Sequence, residues 1–321
     1  MGKIVSIGET LVEVMADSSG CGFLEPMSFT GPFPSGAPPI YISQAARMGA
    51  ATAYISTVGD DDFGKVNLDR LRSDGVDISA IAIDPILPTG HAFVRYRPDG
   101  NRDFCYNITY SASGQTKMTP EAANVIAAST HLHVVGNSMF TDEIREMTAQ
   151  AAAQIKARGG TVSFDPNLRK EMLAQPGLRE AIEKVLSFTD LFLPSGDELF
   201  LGVETTDVNE AIAQHLASGM KAVVHKRGAE GATYYDGTLV LNQPPFPAQE
   251  VDPTGAGDCF GGAFTALWTS GESAAECLRL AAAAGALAVM KRGPMSGAEN
   301  AETVRAFADK HTRRVQGAKH V

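Results

Sequence analysis

Residues 131–165 read HLHVVGNSMFTDEIREMTAQAAAQIKARGGTVSFD. Two β-branched runs, 131–135 and 161–165, enclose a segment whose apolar residues fall at Ile144, Met147, Ala151 and Ile155. That 3-4-4 spacing puts one apolar stripe on a helix, while the flanking runs read as strands. The same alternation extends outward. Strand-like runs recur at 3–8 (KIVSIG), 51–57 (ATAYIST), 190–193 (DLFL) and 221–225 (KAVVH). Helical stripes separate them at Phe63, Val66 and Leu71, at Leu178, Ile182 and Val185, and at Val208, Ile212 and Leu216. Strands alternating with helices predict an α/β fold: a doubly wound, mostly parallel sheet flanked by helices and joined by right-handed crossovers.

Two segments break this rhythm. Residues 11–35 and 88–113 are rich in Gly, Pro, Thr and aromatics, with alternating stretches such as His91-Ala92-Phe93-Val94-Arg95-Tyr96. They read as a small antiparallel β lid appended to the core, with a turn at Pro98-Asp99-Gly100. Tyr234-Tyr235-Asp236-Gly237-Thr238-Leu239 is a separate hairpin signal. No internal repeat and no low-complexity linker is present, so a single domain over 1–321 is expected, with lid strands inserted from about 11–35 and 88–113.

Composition bounds the function. The chain has 321 residues, 44% of them hydrophobic, which excludes a disordered polypeptide and suffices for one large α/β domain. No apolar run approaches the roughly 18–20 residues that span a bilayer. The start, MGKIVSIGETLVEVM, has no basic stretch followed by a long apolar one, so no secretion signal is expected. Cys21, Cys105, Cys259 and Cys277 are scattered without paired spacing, which fits a reduced, cytoplasmic protein. Lys plus Arg number 27 against 37 Asp plus Glu, a formal net charge of −10. Such a surface repels nucleic acid and anionic membranes, so neither is an expected partner. Arg313, Arg314 and Lys319 read as a short solvated tail.

Residues able to bind or react gather where the apolar strands end. Gly8-Glu9, Gly136-Asn137, Asp165-Pro166-Asn167, Pro194-Ser195 and Lys226-Arg227-Gly228 each follow a strand. In open parallel sheets the ligand crevice lies outside those carboxyl ends. The most informative stretch is Val251-Asp252-Pro253-Thr254-Gly255-Ala256-Gly257-Asp258-Cys259-Phe260, ahead of a small-residue helix at roughly 261–269. Gly255-Ala256-Gly257 lets main-chain N–H groups converge at a helix N-terminus, a ready anion hole with the helix dipole behind it. Asp258 then stands at the mouth of a site built for negative charge, which suits a base beside a phosphate. Taken alone, the motif is explained equally well by an Asp cap on a Gly-rich turn.

Rival motifs fail on physical grounds. Gly59-Asp60-Asp61-Asp62-Phe63-Gly64-Lys65-Val66 has P-loop spacing, but Val66 lacks the metal-binding hydroxyl and three carboxylates would repel phosphate. It reads as a turn capping the helix of Phe63 and Leu71. As a dinucleotide fingerprint the 255–260 stretch fails because Phe260 occupies the third Gly position. His131 and His133 share a strand face without a third ligand nearby, so a strand-end role outweighs a zinc site. No G-x-S-x-G elbow supports a hydrolase.

Five ordered blocks carry a resemblance. Asp252 to Phe260 is similar to the D-T-x-G-A-G-D-x-F signature of PfkB (ribokinase-like) carbohydrate kinases. Pro34-Ser35-Gly36-Ala37-Pro38, the helix end Ala45-Ala46-Arg47-Met48-Gly49, Val58-Gly59-Asp60-Asp61-Asp62-Phe63-Gly64 and Phe164-Asp165-Pro166-Asn167-Leu168-Arg169 resemble the family's other blocks. The last matches the form in the fructokinase and 2-keto-3-deoxygluconate kinase branches, and the chain as a whole resembles the fructokinase, tagatose kinase and 2-keto-3-deoxygluconate kinase branches most. The resemblance implies transfer of the γ-phosphoryl group of ATP, with Mg2+, to a sugar hydroxyl. It implies Asp258 as base, Gly255, Ala256 and Gly257 as anion hole, and Glu13, Gly36, Asn107 and Arg169 on the substrate. Asn167, Ser195, Lys226, Gly228 and Gly231 would face the nucleotide, and Glu198 would organise Mg2+ through water. Asp252, with the backbone of residues 289–296, is similar to a monovalent-cation site that takes K+. A homodimer through the lid is the implied assembly.

Three departures stand out. Ser195 replaces the family's Asn in N-x-x-E, Glu13 replaces an Asp, and Ile40 replaces the Asn of G-G-x-x-x-N. Ketodeoxygluconate kinases carry a lid Tyr-Arg pair for the substrate carboxylate, whereas the comparable stretch here is Cys105-Tyr106-Asn107-Ile108-Thr109, without a cation. A carboxylate buried without an Arg is costly, so a neutral ketohexose, fructose- or tagatose-like, is expected. Arg95, Arg97 and Arg102 read as solvated lid charge, with the sugar acid as the alternative. A non-catalytic sugar- or nucleotide-binding regulator would have no need of Asp258 beside an anion hole.

Overall fold

The computed structural model describes residues 2–19, 23–97, 102–168 and 176–311, and the backbone of 316–319. The turn at Pro98-Asp99-Gly100, Cys21, Arg169, Arg313, Arg314 and the Lys319 side chain lie outside the described residues. In chain order the elements are β1 (Lys3–Ile7), β2 (Leu11–Ala16), β3 (Phe29–Ser35), α1 (Ala37–Arg47), β4 (Ala51–Gly59), α2 (Asp62–Ser73), β5 (Asp77–Asp84), β6 (Gly90–Tyr96) and β7 (Arg102–Asn107). There follow α3 (Pro120–Ala128), β8 (Ser129–Val135), α4 (Asp142–Ala157), β9 (Thr161–Asp165), α5 (Leu178–Leu186), β10 (Leu191–Phe192), α6 (Val208–Ala217) and β11 (Ala222–Lys226). The chain closes with β12 (Ala232–Tyr235), β13 (Leu239–Gln243), α7 (Ala256–Ser270), α8 (Ala274–Ala288), α9 (Ala301–His311) and β14 (Gln316–Lys319).

The large sheet runs β14-β13-β12-β11-β10-β9-β8-β1-β4-β5. Every pairing from β11 to β5 is parallel, and β12, β13 and β14 extend that edge antiparallel. From β1 the chain builds outward through β4 and β5. From β8 it builds the other way through β9, β10 and β11. The reversal between β1 and β8 makes their following loops diverge, which opens a crevice at the carboxyl ends.

Helices cover both faces, so the strands can be apolar on both sides. Val5, Ile55, Leu132, Val162, Phe164 and Val223 pack with Ile144, Ile155, Ile182 and Ile212 of α4, α5 and α6. Ile4, Tyr54 and Val224 face Tyr41, Phe260, Phe264 and Leu280 of α1, α7 and α8. Full burial of each large apolar side chain stabilises the fold by about 1.5–3 kcal/mol. The two-residue period of a strand then fixes the site. Val224 lies on the α7 face, so Lys226 does too, and Asp165 lies opposite the face of Phe164.

His131 and His133 point to the same α7 side and are buried. His131 shares hydrogen bonds with Thr161 Oγ1 (2.7 Å) and Ser163 Oγ (2.8 Å), and His133 Nδ1 with Ser163 Oγ (2.8 Å). Burial pushes His131 down to about 3 and His133 well below the usual imidazole range, so both stay neutral. No His, Cys, Asp or Glu cluster fit for a metal ion occurs among the described residues.

Local chemistry sets the turns. Asp61 caps α2 by accepting from Gly64 N–H at 2.8 Å, and also accepts from Thr89 N–H at 2.7 Å. Asp236 Oδ1 accepts from Thr238 and Leu239 N–H, closing the β12–β13 hairpin as an Asx turn. Helix α7 begins at Ala256, earlier than the 261 expected from side-chain spacing. Gly255, at φ 80°, turns the chain so that Ala256 and Gly257 already lie on the helix.

The small sheet runs β3-β2-β6-β7. Its hairpins β2/β3 and β6/β7 are antiparallel, and they meet along a parallel β2/β6 seam. One face, with Leu11, Glu13, Ala92, Arg102, Phe104 and Tyr106, looks into the crevice. No helix among the described residues is long and apolar enough to cross a membrane.

Candidate active site

The crevice and the small sheet enclose a cavity of about 370 Å³. Strand ends supply one wall: Glu9 after β1, Asn137 after β8, Asp165 and Asn167 at β9, Ser195 and Glu198 after β10, and Lys226 ending β11. Pro253, Thr254, Gly255, Gly257 and Asp258 form the floor, with Gly36 and Ile40 at the start of α1. Residues far apart in the chain thus meet because parallel strands end on one edge.

Asp258 sits in the first turn of α7, 8% exposed, and accepts from Asn167 Nδ2 at 3.3 Å. Burial raises its pKa well above the usual carboxylate range. The charges of Asp165, Glu9 and Glu13 push the same way and Lys226 opposes them. The N–H groups of Gly255, Gly257 and Asp258 meet no acceptor among the described residues, so they are open to an anion. Ala256 departs from expectation: it does not line the cavity, and its N–H lies 3.4 Å from Pro253 O.

Gly255 has no substitute. A Cβ there would lie 2.5 Å from Pro294 O and 3.2 Å from Ile40 Cγ2, at a φ that side chains rarely adopt. Gly255→Ala is therefore expected to cost more than ~1 kcal/mol in thermal unfolding and to lower turnover by displacing the helix start. Ile40 does not reach for a ligand with a polar group; it packs under this turn.

Lys226 Nζ and Asp165 Oδ2 form an ion pair, 8% and 3% exposed. Burial raises Asp165 and the Lys226 ammonium opposes that rise. Glu198 is fixed by two amides, Leu168 N–H to Oε1 (2.8 Å) and Ser195 N–H to Oε2 (2.7 Å). Burial and the Asp165 charge raise its pKa. Asn167 carries this loop at φ 43°, a left-handed conformation that Asn tolerates better than most residues. On the other wall, Ser35 Oγ donates to Glu13 Oε1 at 2.8 Å, and Ala37 N–H to Glu9 Oε1 at 3.3 Å.

The remaining sequence-placed residues divide. Asn107 is a correction: β7 alternates, so Arg102, Phe104 and Tyr106 face the cavity while Asn107 faces away. Gly228 and Gly231 bracket a turn beyond β11, outside the cavity lining. A Cβ at Gly231 would meet Gln243 O at 2.1 Å, so that glycine serves hairpin packing. Arg169 lies outside the described residues. Asp252 is fully buried and accepts from Thr254 N–H (3.0 Å), Thr254 Oγ1 (2.7 Å) and Gly293 N–H (2.9 Å). Arg95 and Arg97 both pair with Asp103, but only Arg97 is a half-exposed lid charge; the Arg95 side chain is 18% exposed, and Arg102 lines the cavity. Glu9 was visible only as a strand-end residue; its place beside the β1–β8 reversal was the signal.

A doubly wound sheet with a small sheet over its carboxyl edge, and open amides beside a buried acid, suit a phosphotransferase with an alcohol group as acceptor. The chain belongs to the pfkB family of carbohydrate kinases, whose profile matches residues 1–301. A candidate ribokinase II from E. coli, solved with ATP and Mg2+, has a TM-score of 0.92 and 43% identity, covering 97% of this chain and 100% of that one. Fructokinase-1 of Oryza sativa subsp. japonica is 30% identical over 302 residues, 90% of this chain and 92% of its own. The 2-dehydro-3-deoxygluconokinase of Thermoproteus tenax is 32% identical over 302 residues, 91% of this chain and 89% of its own.

Proposed function

We propose that this sugar kinase uses ATP to phosphorylate a hydroxyl of a small neutral ketohexose, with Asp258 as the base. The carrying observation is Asp258 buried in the cavity beside the open amides of Gly255 and Gly257. The hydroxyl proton passes to Asp258, the sugar oxygen bonds to the γ-phosphorus, and the bond to ADP breaks. Amides at the positive end of α7 hold the charge of the moving group, and little covalent help is required. Asn167 orients the Asp258 carboxyl, and Lys226 lends positive charge on the phosphate side.

Glu198 suits Mg2+ held through water. Each of its oxygens is oriented by an amide yet keeps a lone pair for a metal-bound water. When bound, the ion offsets phosphate charge. Both oxygens of Asp252 already accept amide hydrogens, so a K+ ion beside it would rest mainly on main-chain carbonyls. The whole chain acts as one kinase unit with the small sheet as lid. Free, buried Cys259 and Cys277 suit a cytoplasmic protein. On the outward face of the lid Phe23 stacks on Phe29 (6.5 Å) and Phe29 meets Phe93 edge-on (5.5 Å), an apolar patch for a second copy of the chain.

The neutral-sugar reading is supported by Tyr106 and Ile108, which line the cavity without adding a cation for a carboxylate. A sugar acid is the second reading, because Arg102 also faces it. Initial rates of ADP formation with fructose, tagatose, 2-keto-3-deoxygluconate and nucleosides separate the two. The expected result is the highest kcat/KM with a neutral ketose; preference for the acid would reverse the substrate assignment.

A further inference from the structure

Arg102 is the unusual side chain of the cavity. It comes from β7 of the lid, and no carboxylate among the described residues lies within ion-pair distance of it. Its guanidinium lies 5.7 Å from the Phe104 ring centroid, and Nη1 donates to Thr254 Oγ1. Thr254 passes the contact on: its Oγ1 donates to Asp252 Oδ1 at 2.7 Å, and its neighbour Gly255 starts the anion hole. Asp252 is held from the other side by Gly293 N–H at 2.9 Å. Arg292, the residue before Gly293, donates to Met15 O (3.1 Å), Ala16 O (3.0 Å) and Asp17 Oδ1 (2.9 Å) at the far end of β2. Two lid strands are therefore tied down by separate arginines, β7 through its own Arg102 to Thr254 and β2 through Arg292, and the neighbouring groups Thr254 and Gly293 both hydrogen-bond Asp252.

We infer that Arg102 and Thr254 are positioning residues that latch the closed lid onto the loop carrying the anion hole, so that closure and amide alignment occur together. This rests on the proposed role of the Gly255 and Gly257 amides. An arginine without a counter-charge is tolerable in this place because its side chain is only half-buried and borders the cavity. A hydrogen bond to a hydroxyl also breaks readily when the lid opens. With the latch gone, the lid closes over a loop free to shift. Misalignment by about 1 Å is worth on the order of 10²-fold in rate.

The test is a double-mutant cycle with two readouts. Arg102→Gln and Thr254→Val are each expected to lower kcat about 10- to 100-fold with the KM for ATP unchanged, and the double variant to match Thr254→Val, which already lacks the latch. Thr254→Ser, which keeps the hydroxyl, is expected within about twofold of wild type. Arg97→Gln, on the outward face, serves as control and is expected to behave as wild type. The second readout needs no sugar: amide hydrogen exchange in a peptide covering 252–258 should speed up in both Arg102→Gln and Thr254→Val, and at least as much in Thr254→Val, which also loses the bond to Asp252, with melting temperatures confirming folded protein. Additive losses in the cycle, a raised sugar KM with unchanged kcat in Arg102→Gln, or unchanged exchange would each overturn the latch. Because exchange is read on the unliganded chain, its result stands whatever sugar the enzyme takes.

Discussion

Asp258→Asn is expected to lower kcat by roughly 10³-fold or more, while nucleotide still binds and the melting temperature rises. The loss follows from the proton: an amide cannot accept it, and Asp258 is the acid in the first turn of α7, beside the open amides. The gain in stability follows from the same burial. The folded-state pKa of Asp258 is held above its unfolded value by burial and by Asp165, Glu9 and Glu13. Its contribution to stability is therefore present below the usual carboxylate range and is lost as pH rises through the raised value. Above that raised value the ionised Asp258 works against folding, and a neutral Asn does not. Calorimetric ATP binding and a thermal melt on the same preparation check the two signs together. A variant that lost stability along with turnover would count against burial as the source of the shift.

Lys226→Met is the second large effect. It leaves Asp165 buried without its cation, and breaking such a pair costs about 3–5 kcal/mol. The loss should shrink at acidic pH, where Asp165 takes a proton. Adding Asp165→Leu should restore most of the stability, since an apolar pair replaces an ionic one of similar burial, yet leave turnover low. Urea unfolding of the single and double variants measures this. Equal stability of wild type and the Lys226 variant at neutral pH would mean that the pair is not formed in solution.

The parallel sheet was legible because strand and helix periods are local properties. The runs at 131–135, 161–165 and 221–225 and the stripe of Ile144 to Ile155 became β8, β9, β11 and α4 with small shifts of boundary. The site was legible for a related reason: in a parallel sheet all carboxyl ends fall on one edge, so Asp165, Ser195 and Lys226 meet with no further information. What sequence could not give was orientation within the lid. β7 has no strong apolar alternation, so nothing local told Arg102, facing in, from Asn107, facing out. The β2/β6 seam pairs residues about 80 apart, a distance over which local pattern carries no signal. Ile40 looked like a lost ligand, and only the approach of Gly255 shows it as the support of a turn. The early start of α7 was hidden because glycines score poorly inside helices, although Gly257 here sits in the first turn.

The most direct measurement of the central claim is the pH dependence of kcat for sugar-dependent ADP formation, from mildly acidic to mildly alkaline solution. The expected profile climbs with pH as one group loses its proton, with a midpoint above the usual carboxylate range, and that climb is absent from the residual rate of Asp258→Asn. A flat acid limb, or the same climb surviving in Asp258→Asn, would show that another group takes the hydroxyl proton.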